Sequence, residues 1–350
     1  MMKRMRYSKV CIDAFGYELA PRVVTSADLE KRLAPVYAAL RFQAGQLEAL
    51  TGIRERRFWD QGMGMADAAV LAGEKALSAA SIPASAIGML IYGGVCRDQL
   101  EPATACKVAH ALGISPQAVI YDVSNACLGV LNGMVQVANA IELGQIRAGI
   151  VVSAESSHQI VDLTIERLLK TPDMTAFRET IATLTGGSGA VAVVLTEASL
   201  AAGGHRLLGA VARNATVHHQ LCTWGPDSGI GASAAQVMRT DSIGVLQHGV
   251  ALGLATYQDF QKQLALTPDE PHKIICHQVG SAHQKTILET LAIPAHKDFT
   301  TFQYLGNMGT VSLPLTAAIA AQREFLATGD LVGFFGIGSG LNCLMLGIRW

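Results

Sequence analysis

The chain has 350 residues, half of them apolar, with 16% charged, 6% aromatic and a net charge of −1. That is enough apolar chain for one large doubled domain or two domains. The lack of a basic tract argues against nucleic acid, and no apolar run reaches the roughly 18 residues of a membrane span.

The start MMKRMRYSKV is basic but leads into no long apolar stretch. It does not read as a secretory signal, and a cytoplasmic protein is expected. Next comes a helix over 64–80, a strand over 89–93, a helix over 104–112, a strand over 118–123 and a helix over 128–143. Strands follow over 149–153 and 190–195, then a long helix over 242–264. A strand over 273–276, helices over 282–291 and 312–327, and a strand over 331–336 complete the series. Strands alternating with helices define an α/β chain.

Two stretches echo each other. SNAC, an apolar helix, a Gly turn and the strand GIVVS span 124–153; LGNMG, an apolar helix, a Gly turn and LVGFFG span 305–336. IGMLIYGGVCRDQ and HKIICHQVGSAHQ form a weaker pair. The chain is expected to hold two duplicated halves, 1–200 and 201–350, with a nucleophilic cysteine in the first and a histidine and an asparagine in the second.

The seven cysteines, at 11, 96, 106, 127, 222, 276 and 343, have irregular spacing and no CxxC. A disulfide framework or zinc site is not expected. Cys127 stands out because it follows a strand and opens an apolar helix. Unpaired N–H groups there would lower its pKa and favour thiolate. Alone it would read as a buried structural thiol. His277 follows the strand KIIC, on the ligand side of an α/β sheet; alone it would be a turn histidine. Asn307 sits between glycines in YLGNMG and alone would be a turn residue. Together the three supply a nucleophile and two hydrogen-bonding partners. GIGSG, at 336–340, could present backbone N–H groups to a thioester oxygen. It lacks the features of a nucleotide loop.

These residues resemble the thiolase superfamily and, within it, the ketoacyl-acyl-carrier-protein synthase III branch. The likeness rests on TGIRERRFWD (51–60), DVSNAC (122–127), TGGSGAVAVVL (185–195), HQV (277–279), GNMGTVSLP (306–314) and GIGSGLNC (336–343). It implies a five-layered αβαβα fold, a homodimer and acyl-CoA or acyl-carrier-protein substrates, with no metal or redox cofactor. Cys127 would carry the acyl group, His277 and Asn307 would hold the second thioester, and the N–H groups of Cys127 and Ser339 would form the oxyanion hole.

CRDQLEPATA (96–105) is similar to the OleA-type acyl-CoA condensing branch, in which Glu101 would reach into the partner subunit's site. A plain acyl thioester must lose an α-proton, and a carboxylate in an apolar pocket is a usable base. A malonyl thioester would instead yield its carbanion by decarboxylation. Passing the acyl group to an oxygen or nitrogen acceptor, or a non-catalytic partner subunit, are further alternatives. LEAL, before TGIRER, lacks the Trp and Arg with which initiating synthases grip coenzyme A. Arg54, Arg56 and Arg57 read equally as phosphate contacts or as a solvated face, and residues binding the carrier are not assigned.

Overall fold

The computed structural model describes residues 5–80, 82–201, 204–226 and 236–350. Nine strands carry the fold: β1 (Val10–Leu19), β2 (Met89–Gly93), β3 (Val119–Val123), β4 (Ala148–Glu155), β5 (Gly189–Glu197), β6 (His205–Asn214), β7 (Lys273–Cys276), β8 (Leu331–Gly338) and β9 (Asn342–Arg349). Six helices pack on them: α1 (Met65–Ala80), α2 (Thr104–Leu112), α3 (Gly129–Glu142), α4 (Ser242–Leu264), α5 (Ser281–Leu291) and α6 (Ser312–Gln322).

The strands run in the order β7-β8-β9-β6-β1-β5-β4-β2-β3. Outward from the centre, one side reads β1-β5-β4-β2-β3 and the other β6-β9-β8-β7. On each side the first two pairings are antiparallel and the next is parallel. The two sides meet at a short antiparallel contact, Cys11 with Arg206 and Ile12 with His205.

Strand alternation builds the layers, because successive side chains leave opposite faces. In β5, Val191, Val193 and Leu195 enter one core, while Ala190, Ala192 and Val194 enter another. The first core also takes Leu131, Met134 and Val137 of α3, Leu313 and Leu315 of α6, and Val332, Phe334 and Leu344 of the other half. α3 and α6 therefore lie between the half-sheets. α1 and α2 cover one outer face, with Ala69, Ala72, Ala76 and Val108. α4 and α5 cover the other, with Leu252, Phe260, Leu288 and Leu291. This is the five-layered αβαβα arrangement.

α1 reaches its sheet because position 16 has no side chain. A Cβ on Gly16 would lie 2.1 Å from the Ala72 carbonyl oxygen. α6 stops at Gln322, short of the expected 327, where Glu324 turns to a left-handed φ of +56°. Among the described residues, no helix is long and apolar enough to cross a membrane.

Candidate active site

Four loops, carrying Cys127, His277, Asn307 and Ser339, converge at the N-terminal end of α3. After β3, Ala126 adopts φ +45°, an uncommon conformation for a residue with a side chain. Cys127 follows it and lies two residues before the first helical residue, Gly129, so it precedes the helix rather than opening it. Asn125 holds this turn. Its Nδ2 donates to Asn132 Oδ1 at 2.7 Å, and its Oδ1 accepts from Asn342 Nδ2 at 3.2 Å.

The same Asn342 Nδ2 reaches the Ser339 carbonyl at 3.3 Å, which ties the Cys127 turn to the β8–β9 turn. Gly338 makes that approach possible: a Cβ there would sit 3.2 Å from the Cys127 nitrogen. The backbones of Cys127 and Ser339 are thus brought side by side.

The Asn307 loop is fixed from both directions. Asn307 N–H donates to Thr185 O, and its carbonyl accepts from Gly187 N, both at 2.9 Å. Its Oδ1 accepts from Gly309 N at 3.0 Å, which leaves Nδ2 available as a donor. Thr310 Oγ1 then accepts from Val130 N at 2.7 Å, joining this loop to the start of α3 across 180 residues.

His277 follows β7 and donates its backbone N–H to Phe335 O at 2.9 Å. Gln278 clamps the turn beyond it. Gln278 Oε1 accepts from Thr301 N at 2.9 Å, and its Nε2 donates to Cys276 O at 2.7 Å.

Cys127, His277, Asn307 and Ser339 all line one cavity of about 420 Å³. It continues as a largely apolar trench between α4 and α5, past Val250, Gly253, Ile287, Leu291 and Met345. Leu50 and Ile243 also line it, 48% and 79% exposed, and mark its side toward solvent.

The electrostatics differ from the expected activated thiolate. Burial pushes the Cys127 thiol up to about 12, and the nearby Cys222 and Glu155 add to the rise. Burial pushes His277 down to about 4, with His283 adding to it. The resting pair is therefore a neutral thiol and a neutral imidazole. The partial positive end of α3 is present, but desolvation of the charged form outweighs it. His277 Nδ1 is buried with no hydrogen-bond partner among the described residues.

Glu101 lies elsewhere. It is exposed on the loop between β2 and α2, beside Leu100 at 91% exposure, and does not line its own chain's cavity. Arg56 fits neither reading made from the sequence. It is fully buried, and its guanidinium donates to Ser26 Oγ at 3.1 Å and to Leu184 O at 3.3 Å. Its side chain packs against Gly306, beside Asn307, so it braces that loop and meets no phosphate. Sequence reasoning also passed over Glu155, a buried carboxylate at the end of β4. The signal available was an acid closing an otherwise apolar strand. No group of side chains suited to a metal ion occurs among the described residues.

A thiol, an imidazole and an amide around an apolar trench define a thiolase-fold condensing enzyme. The chain belongs to the 3-oxoacyl-acyl-carrier-protein synthase III family: residues 121–215 match that family's model and 262–350 match the model of its C-terminal part. It is 53% identical to the acyl-CoA:acyl-CoA alkyltransferase of Shewanella oneidensis, over 99% of this chain and all of that one. It is 35% identical to the protein of the same description from Xanthomonas campestris, over 99% and 100% of the two chains. A crystal structure of Xanthomonas campestris OleA superposes with a TM-score of 0.93 at 34% identity, covering 99% of this chain and 98% of that one. A cysteine-to-serine form of that protein, solved with lauric acid and lauroyl-CoA bound, gives 0.91 at 34% identity, covering 98% and 100%.

Proposed function

We propose that the protein joins two acyl-CoA thioesters by a non-decarboxylative Claisen condensation through an acyl group held on Cys127. The observation that carries this is the meeting of Cys127, His277, Asn307 and Ser339 on one apolar cavity, in a chain 53% identical over its length to an acyl-CoA:acyl-CoA alkyltransferase.

The Cys127 sulfur attacks the first thioester carbonyl. Its oxygen becomes negative and accepts from the N–H groups of Cys127 and Ser339. The carbon–sulfur bond to coenzyme A breaks, and the proton from Cys127 leaves with the released thiol. A second acyl-CoA then places its carbonyl against His277 and Asn307. Neutral His277 has one N–H to give, and Asn307 Nδ2 supplies another donor. Loss of an α-proton makes a carbanion that attacks the acyl-enzyme, forming the new carbon–carbon bond and freeing the Cys127 sulfur. The product is a β-keto thioester of coenzyme A, and addition of water to that thioester, with release of coenzyme A, would give the β-keto acid.

The α-proton goes to Glu101 of the partner subunit in a homodimer. In support, β3 is an open sheet edge with Val119 half exposed, and the nearby loop projects Leu100 and Glu101 outward. Residues 1–200 and 201–350 are read as duplicated halves, on the matching strand order. All seven cysteines are free, in keeping with a reducing cytoplasm.

Intact-mass measurement after incubation with acyl-CoAs of graded length tests the scheme. Wild type gains one acyl group, and a Cys127→Ala variant gains none. A Glu101→Gln variant still acylates but forms no condensed product. Acylation without Cys127, or full condensation by the Glu101 variant, would remove the respective role.

A further inference from the structure

Glu101 is useful as a base only if the loop that carries it is held still, and the structure shows how. The loop leaves β2 at Gly93 and enters α2 at Thr104. At its root, Glu155 Oε1 accepts from Val95 N at 2.9 Å, and Oε2 accepts from Cys96 N at 3.2 Å. Midway, Asp98 Oδ1 accepts from Met65 N at 2.6 Å, at the start of α1. At its far end, Asp122 accepts from Thr104 N and Ala105 N, both at 2.9 Å. Three carboxylates thus fix the two ends and the middle, and residues 99–102 remain exposed.

Glu155 differs from the other two. It is 4% exposed, and the site described above gives it no chemical step. Its carboxyl carbon lies 3.5 Å from where a Cβ on Gly309 would be, so the group is wedged between the loop root and the Asn307 loop. The Trp59 indole N–H holds its backbone carbonyl at 3.1 Å. Burial raises its pKa, yet the carboxylate accepts two backbone N–H groups that have no other acceptor among the described residues. Its charge also reaches the nucleophile, since it contributes to the rise at Cys127.

We propose that Glu155 is a positioning residue for the condensation step: it locks the root of the Glu101 loop against the Asn307 loop, so that the base one protomer lends is held in fixed register with its own thioester-binding wall. The inference rests on the base role given to Glu101. It predicts that disturbing Glu155 spares the first half-reaction and damages the second.

Glu155→Gln keeps the shape but turns one acceptor into a donor, so one backbone N–H faces an N–H. A base displaced by about 1 Å costs roughly 100-fold in rate. The expected result is Cys127 acylation within about threefold of wild type and condensation per acylated enzyme down roughly 100-fold. Alkylation of Cys127 should become faster, because a charge that disfavours thiolate has gone. Glu155→Asp, which keeps both acceptors, should recover part of the condensation. Asp98→Asn disturbs the same loop from its surface side and should show a weaker selective loss; it decides the matter if Glu155→Gln does not fold. Normal condensation by these variants overturns the proposal. So does a loss shared equally by acylation and condensation, which is what a merely structural role would give. Glu101→Gln run in parallel separates the two ideas. If that variant condenses normally, the base reading fails; if it is inactive while Glu155→Gln is normal, only the present inference fails.

Discussion

Gly253 lines the trench between α4 and α5, and its replacement by leucine gives a quantitative test of whether an acyl chain extends past it. Val245, Gly249 and Gly253 fall on one face of α4, four residues apart, and all line the cavity. From the first to the last the helix rises roughly 12 Å, at about 1.5 Å per residue. Opposite them, Ile287 and Leu291 of α5 form the other wall. A Cβ on Gly253 would meet one atom, Ile287 Cδ1, at 3.1 Å. That is the tip of a flexible side chain, so Gly253→Ala is tolerated. In Gly253→Leu the atoms beyond Cβ must enter the trench. If they displace three methylenes of a bound tail, at about 0.8 kcal/mol each, long chains lose about 2.4 kcal/mol, or roughly 50-fold in preference. Chains that end before Gly253 lose nothing. Stability should not fall, because glycine is a poor residue within a helix. The assay is competitive acylation of Cys127 by a mixture of short and long acyl-CoAs, read by intact mass. An unchanged long-to-short ratio in a folded Gly253→Leu protein would refute the placement of the acyl tail between α4 and α5.

Three other outcomes are expected. With its thiol pushed up to about 12, Cys127 should be alkylated by iodoacetamide about tenfold faster per pH unit from pH 6 to 10; a plateau below pH 8, followed on the Cys127 peptide, would mean a thiolate already formed. His277, held down to about 4 against about 6.5 in an unfolded chain, stabilises the fold fully above pH 6.5. That contribution is lost as pH falls from 6.5 to 4, by about 3 kcal/mol. Denaturant unfolding at pH 7 and pH 4.5 should show a smaller acid loss in His277→Gln, and equal losses would dismiss the buried neutral ring. Asp298 is the one carboxylate among the described residues lining the cavity, and burial raises it to about 6. Its Oδ2 is occupied by Gln284 Nε2 at 2.8 Å, so Asp298→Asn should keep condensing; selective loss of condensation there would transfer the base role to Asp298.

The local pattern made much of the frame legible. α4 falls on Ser242–Leu264 as expected, and β2, β7 and α2 also fall on their expected residues. Each is a run whose own periodicity decides its type. β1, β6 and β9 were not anticipated, although they form the centre of the sheet. VCIDAFGYEL interrupts its apolar run with Asp13, Gly16 and Glu18. Its strand character comes from pairing with β5 and from α1 packing onto Gly16, both of which are tertiary. Cys127, His277, Asn307 and Ser339, which share one cavity, could be singled out because each lies in a short motif beside a strand or helix end. What could not be found was the state of those residues. A helix terminus beside a cysteine suggests a low pKa, but the burial that reverses it depends on Gly338 and the Asn307 loop arriving from distant sequence. Arg56 failed for the same reason: Arg54, Arg56 and Arg57 look like a charged face until the loop around Gly306 closes over Arg56.

The neutral resting site has a chemical logic. With the thiol at about 12, forming a thiolate at pH 7 costs about 7 kcal/mol. Among the described residues, no lysine or arginine lines the cavity to offset that cost. In the proposed scheme the offset comes with substrate, when the charge passes from sulfur to an oxygen held by the backbone donors at Cys127 and Ser339. Such a site favours the charged transition state over the free nucleophile, which is what accelerates a reaction. A sulfur of high pKa is also the stronger nucleophile once ionised. After acylation the sulfur carries no charge, and in the proposed scheme the second thioester meets two neutral donors, His277 and Asn307. These can hold an enolate oxygen but cannot take a proton at neutral pH, because burial has made the imidazole too weak a base. The proton acceptor for carbon–carbon bond formation is therefore neither of these but a carboxylate, and in the proposed scheme Glu101 on its braced loop supplies it, with Asp298 in the cavity as the rival that Asp298→Asn tests.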